Sequence, residues 1–302
     1  MLNLRYHIVS LVAVFLALAL GILIGTTVLE EGVVSLLEAE RDQLAGHRDR
    51  LAEESEALSN ELDLWERFGH TIVPDVTRGR LQDRSVILLV QAGTEGDLID
   101  QVLTALEHAG ATMAGRITFT EKWALRDEPA REQLALVLGT STAEADALRG
   151  EAAARLAGRL AAGGDPAQQT DLLQSLVRNG FVDLDDVEEE DFPPSETLGV
   201  LISAAEPAAM PPRDTFVLPF LQALQDRFRM VVVEPLNAVD PITVTIRRDD
   251  VLGNSISTVD HADTLLGELS MIVALADAAQ GGRARHWGVR EGAAAIIPSV
   301  DR

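Results

Sequence analysis

Asp260-His261-Ala262-Asp263-Thr264 gathers three possible metal ligands in one short run. The same run opens a strongly apolar segment, where Asp and Thr cap free backbone N–H groups and favour the helix dipole. Asp183, Asp185, Asp186, Glu188, Glu189, Glu190 and Asp191 crowd a second stretch. Carboxylates bind hard divalent cations such as calcium, but the spacing and glycine of an EF-hand are missing. A solvated acidic loop and a weak site for a cation or a basic partner both remain open. Gln91-Ala92-Gly93-Thr94-Glu95-Gly96 stands between an apolar run and a helical one, where phosphate-binding loops occur. It lacks the G-x-G-x-x-G pattern and a P-loop lysine, and Glu95 and Asp97 would repel an anion. An ordinary strand-to-helix turn is the simpler reading.

The remaining chemistry is sparse. The six histidines, at 7, 47, 70, 108, 261 and 286, form no pair at metal-ligand spacing. Met113, Met210, Met230 and Met271 stand apart, so no thioether cluster for Cu(I) is visible. There is no cysteine, hence no disulfide, thiolate site or cysteine nucleophile. No G-x-S-x-G or H-E-x-x-H appears. We expect no catalytic residue and no cofactor, and read the chain as not an enzyme. The 302 residues carry 48 acids against 25 bases, a net charge of −23, which argues against a nucleic-acid partner. Hydrophobic residues at 47% and charged residues at 24% give an ordinary globular balance.

The elements around these residues begin with an uncharged run, Ile8 to Leu29, long enough to cross a bilayer as a helix. Ala17-Leu18-Ala19 fits a cleaved signal peptide. The apolar run continues past it, so an uncleaved anchor is expected. Arg5 precedes the run and Glu30 and Glu31 follow it. The positive-inside bias then places residues 1–7 in the cytoplasm and the bulk outside. Ala13, Ala17, Gly21 and Gly25 recur every four residues on one helix face, a stripe that lets two membrane helices pack closely.

Residues 33–68 contain no proline and repeat in heptads. Leu37, Leu44, Leu51, Leu58 and Trp65 occupy d positions. Val34, Arg41, Arg48, Ser55 and Leu62 fall at a. Leu at d suits a parallel dimeric coiled coil. Arg at a weakens it but can snorkel to the edge, where Arg41 could reach Glu40 of a second copy. One amphipathic helix packed on its own domain is the other reading.

Residues 69–83, with Pro74 and Gly79, read as a linker or docking segment. Strands are expected at Ser85 to Gln91, Thr112 to Thr120, Thr197 to Ser203 and Met230 to Val233, with an edge strand at Ile242 to Ile246. Helices are expected at 97–109, 129–138, 143–162, 166–179, 215–228 and 263–279. The β-α-β order implies an α/β, Rossmann-like head over residues 84–290 with a mainly parallel sheet. Residues 291–302 read as a tail.

Leu4 to Ala19, LRYHIVSLVAVFLALA, resembles the opening of the actinobacterial MctB family, the mycobacterial copper transport protein B group. Ser257-Thr258-Val259-Asp260, Ala262-Asp263-Thr264, Gly267 and Ala274-Leu275-Ala276 resemble its C-terminal signature. His286-Trp287-Gly288 is similar to its aromatic-glycine step, with Trp where Tyr is usual. His261 stands where Asn is expected. The resemblance spans essentially the whole chain and implies copper efflux or an outer-membrane channel. A corynebacterial branch implies instead an extracytoplasmic coiled-coil partner in envelope assembly. Copper enters through this resemblance alone. The residues themselves favour a single-pass, dimeric, non-enzymatic envelope scaffold that recruits a protein partner. Copper transport is the alternative.

Overall fold

The computed structural model describes residues 4–168, 170–187, 192–206 and 210–298, without the side chains of 4, 5, 26–36 and 38. Two compact units result, Met1–Trp65 and Glu66–Arg302, and each is treated by itself. The boundary falls inside helix α1, Leu4–Thr77. Within it, Tyr6–Gly25 is long and apolar enough to cross a membrane.

The second unit is an α/β head. Its elements are β1 (Ser85–Val90), α2 (Gly96–His108), β2 (Thr112–Phe119), α3 (Glu128–Leu138), α4 (Ala145–Ala162), α5 (Leu172–Arg178) and β3 (Val182–Asp185). Then follow β4 (Leu198–Ile202), α6 (Leu218–Leu224), β5 (Arg229–Val233), α7 (Ile242–Arg248), α8 (Leu252–Ser255), β6 (Ser257–Val259), α9 (Leu265–Ala279) and β7 (His286–Trp287). The sheet order is β3-β2-β1-β4-β5-β6-β7. All neighbours run parallel except β3, which is antiparallel to β2. The chain moves outward from β1 to β3 and returns to β4 beside β1. That reversal is the switch point of a doubly wound fold.

Parallel strands covered on both faces must be apolar throughout, and β1 buries nearly all of SVILLV. Ile87 and Leu89 face one core with α3 to α8; Val86, Leu88 and Val90 face another with α2 and α9. The first core holds Phe119, Trp123, Phe181 and Phe216 in edge-on and tilted contacts. Such pairs add about 0.5–1.5 kcal/mol each beyond their buried area.

Four expectations are settled or changed. Of the two readings of 69–83, linker or docking segment, residues 69–77 follow the second: they continue α1, and buried Val73 and Thr77 anchor that turn on the head. Ile242 to Ile246 is helix α7, not an edge strand. Its alternation hides an i, i+4 pair, Ile242 and Ile246, which both enter the core. Of 166–179 only Leu172–Arg178 is α-helical, since Asp171 caps it by accepting from Leu173 N and Gln174 N. The tail beyond 290 belongs to the head: Ala294 N donates to the His286 carbonyl and Gly288 N to that of Ala295.

Candidate functional site

In the first unit, the stripe Ala13, Ala17, Gly21 and Gly25 lies on helical backbone, and nothing approaches a Cβ built on either glycine. Leu37, Leu44, Leu51, Leu58, Leu62 and Trp65 are 57–64% exposed. The Val34 side chain lies outside the described residues. Leu37, Leu44, Leu51, Leu58 and Leu62 therefore present a largely exposed apolar seam. At a positions of the same seam, Arg48 pairs with Asp49 at 2.8 Å and Arg41 with Asp42 at 3.6 Å.

In the head, ionisable groups gather at the carboxyl ends of β5, β6 and β7. Asp260 follows β6 and is fully buried. Its carboxylate accepts from Arg247 Nη1 at 2.6 Å, Val289 N at 2.8 Å and Arg290 N at 3.1 Å. The side chain of Arg247, on α7, is itself only 1% exposed. It also donates from Nε to Thr258 Oγ1 and from Nη2 to the Trp287 carbonyl. Thr258 Oγ1 lies 2.9 Å from His286 Nδ1, and His286 Nε2 lies 2.8 Å from the Gly253 carbonyl. One tautomer satisfies every contact: neutral His286 donates from Nε2 to Gly253 and accepts from the threonine hydroxyl. Burial, with Arg247 nearby, holds the His286 pKa below its ordinary value, against the opposing pull of the Gly253 carbonyl.

Glu234, at the end of β5, is also fully buried. It accepts from the Thr243 hydroxyl and backbone N–H, and Arg290 Nε stands 3.7 Å away. Burial pushes its pKa up, although Thr243 and Arg290 favour the charged form. His261 is buried beside Asp260, with 3.8 Å between Nδ1 and Oδ1. Neither of its ring nitrogens has a hydrogen-bond partner among the described residues. Burial lowers its pKa, while Asp260 and Asp263 oppose the shift.

The three possible ligands of the 260–264 run thus have separate roles. Asp260 holds Arg247, and Asp263 accepts from Leu236 N at 2.7 Å. His261 faces neither carboxylate at bonding distance. Thr264 caps α9 by accepting from Gly267 N at 3.1 Å. Two glycines complete the packing. A Cβ at Gly288, whose φ is +143°, would stand 2.0 Å from Asp260 Oδ1, and one at Gly267 would stand 1.9 Å from the His261 carbonyl oxygen. The network straps residues 288–295 across the sheet's carboxyl edge.

At the switch point, Gln91 Nε2 donates to the Pro211 carbonyl and its Oε1 accepts from Ala204 N. The crevice beside it, about 130 Å³, is lined by Glu95, Asp97 and Asp263, which oppose a phosphate. In the acidic stretch, Asp183 and Asp185 lie on β3, and Asp185 pairs with Arg116 at 2.9 Å. Residues 188–191 lie outside the described ones. No group of three or more His, Asp or Glu is placed to hold a metal among the described residues. Met230 and Met271 are buried in different cores.

Sequence reasoning missed Arg247, Glu234, Arg290, Thr258 and His286 as one cluster. The available signal was Glu234 directly after Val231-Val232-Val233. A charge ending a buried strand needs a partner.

A family described as "Copper transport outer membrane protein, MctB" matches residues 1–298. The copper transporters MctB of Mycobacterium tuberculosis and Mycobacterium bovis are each 26% identical over 321 residues, covering 99% of this chain and all of the relative. That of Mycobacterium leprae is 25% identical over 315 residues, covering 98% of this chain and 99% of the relative.

Proposed function

The chain belongs to the MctB family, and we propose that it is a membrane-anchored component of copper export across the cell envelope. The end-to-end family match carries this reading, since the relatives matched over the same length are copper transporters. In this reading Tyr6–Gly25 spans the membrane with the N-terminus in the cytoplasm and the head outside. Copper is cargo. One membrane helix forms no conduit alone, so passage depends on assembly with further copies or another envelope protein. The test is cell-associated copper in a deletion strain under copper load. Copper should rise and return to the parental level when the full-length gene is restored. Unchanged copper in the deletion strain would reject the role.

A second reading concerns how the chain contributes, and the exposed heptad seam favours it. We infer a parallel homodimer through the stalk and the Ala13–Gly25 stripe, presenting two heads to an envelope partner as a non-enzymatic scaffold. Anchoring in one membrane raises the local concentration of stalks and offsets weak Arg41 and Arg48 layers.

A further inference from the structure

The amino ends of β1, β4 and β5 open on a cleft of about 490 Å³, on the edge of the sheet opposite the Asp260 network. We propose that this cleft binds a phosphate-bearing anion through Arg84, Arg227 and Arg229. The register places these side chains together. Leu198 pairs with Val86 on one side and Arg229 on the other. Arg84 directly precedes β1, and Arg227 lies two residues before β5. With strands spaced by about 4.8 Å, the arginines bracket the start of β4 within reach of one small ligand.

Among the described residues, charge pairing separates them from most arginines of the head, and their shared cleft separates them from unpaired Arg126 and Arg283. In a chain of net charge −23, guanidiniums are readily answered by carboxylates. Arg116, Arg149, Arg159, Arg213, Arg247 and Arg248 all sit in ion pairs. Arg84, Arg227 and Arg229 have no side-chain hydrogen bond or ion pair among the described residues, and all three line one cleft. Among the described residues Glu196 is the one carboxylate in that lining, against three arginines. Phe228 and Leu198 give it an apolar floor. Clefts of this size hold small ligands, and guanidinium forks match phosphate oxygens bidentately. A structural role explains part of the set: the Arg229 guanidinium stands near Gly281, just past the end of α9, where a cation suits the helix dipole. Arg84 and Arg227 have no comparable duty. The proposal is independent of the copper reading.

Purified full-length protein in neutral detergent at low ionic strength is titrated with pyrophosphate. The expected result is saturable binding of one ligand per chain, weakened at least tenfold in Arg84→Gln/Arg227→Gln. Arg126→Gln/Arg283→Gln, outside the cleft, should bind within twofold of the parent, with circular dichroism confirming that both variants fold. Displacement by glycerol phosphate assigns a free phosphate ester. Displacement only by short-chain phosphatidylglycerol assigns a lipid headgroup. Either outcome supports the site. No saturable binding, or equal weakening in both variants, overturns it.

Discussion

A carboxylate sealed from water must have its charge answered on the spot, and Asp260 is answered by Arg247 and two backbone N–H groups. Breaking such a pair leaves a buried charge, at a cost of about 3–5 kcal/mol. Arg247→Ala should therefore lower head stability by that order in urea unfolding; a loss below about 1 kcal/mol would show that the pair is not essential. His286 and His261 give the network a pH dependence. Their folded pKa values lie below the unfolded value near 6.5. Above about pH 6.5 both states are neutral and the full stability is present. As pH falls below that point the unfolded chain takes up protons first, and stability declines. Glu234 acts in the opposite sense, because its raised pKa lets the folded state hold a proton longer. Comparing His286→Gln with the parent isolates one contribution: the parent should lose more stability between pH 8 and pH 5. Equal losses would remove His286 from the linkage. Asp260 and His286 were visible as residues in the sequence. Arg247, which bonds Asp260 directly and reaches His286 through Thr258, was not, because it sits on a helix whose residues alternate like a strand.

Elements that bury both faces were legible, because β1, β4 and β5 read as continuous apolar runs bounded by turns. The three-residue β6 and two-residue β7 gave no periodic signal. They are held by pairing with neighbours and by the Asp260 network rather than by their own pattern. α9 was legible from its apolar length, and Thr264 marks its start. Thr264→Ala removes that cap and should cost about 1 kcal/mol in urea unfolding, against no change if the cap is dispensable. The stalk shows the opposite case: its heptads are plain in the sequence, yet their seam is exposed on the described chain. The absence of native cysteine makes a direct assay possible. Ser55→Cys at an a position should give a disulfide-linked dimer under mild oxidation. Adding Leu44→Asp and Leu51→Asp should abolish it. Persistent dimer in the triple variant would contradict the coiled coil.

At the scale of the whole molecule, an apolar helical segment long enough to cross a membrane, a heptad helix and an α/β head follow one another in a chain whose residues 1–298 match the MctB family. Charge sorting within the head is uneven. Carboxylates line the crevice at the carboxyl ends of the strands, and unpaired arginines line the cleft at the amino ends. Net charge alone hid this, since −23 averages over both edges. The proposed function is copper export by an assembled, membrane-anchored component. Its most direct measurement is cell-associated copper in a deletion strain carrying either the parental gene or Leu44→Asp/Leu51→Asp, at equal membrane abundance under copper load. The parental gene should restore low copper, while the stalk variant should leave copper as high as in the deletion strain. Full restoration by the stalk variant would contradict the claim.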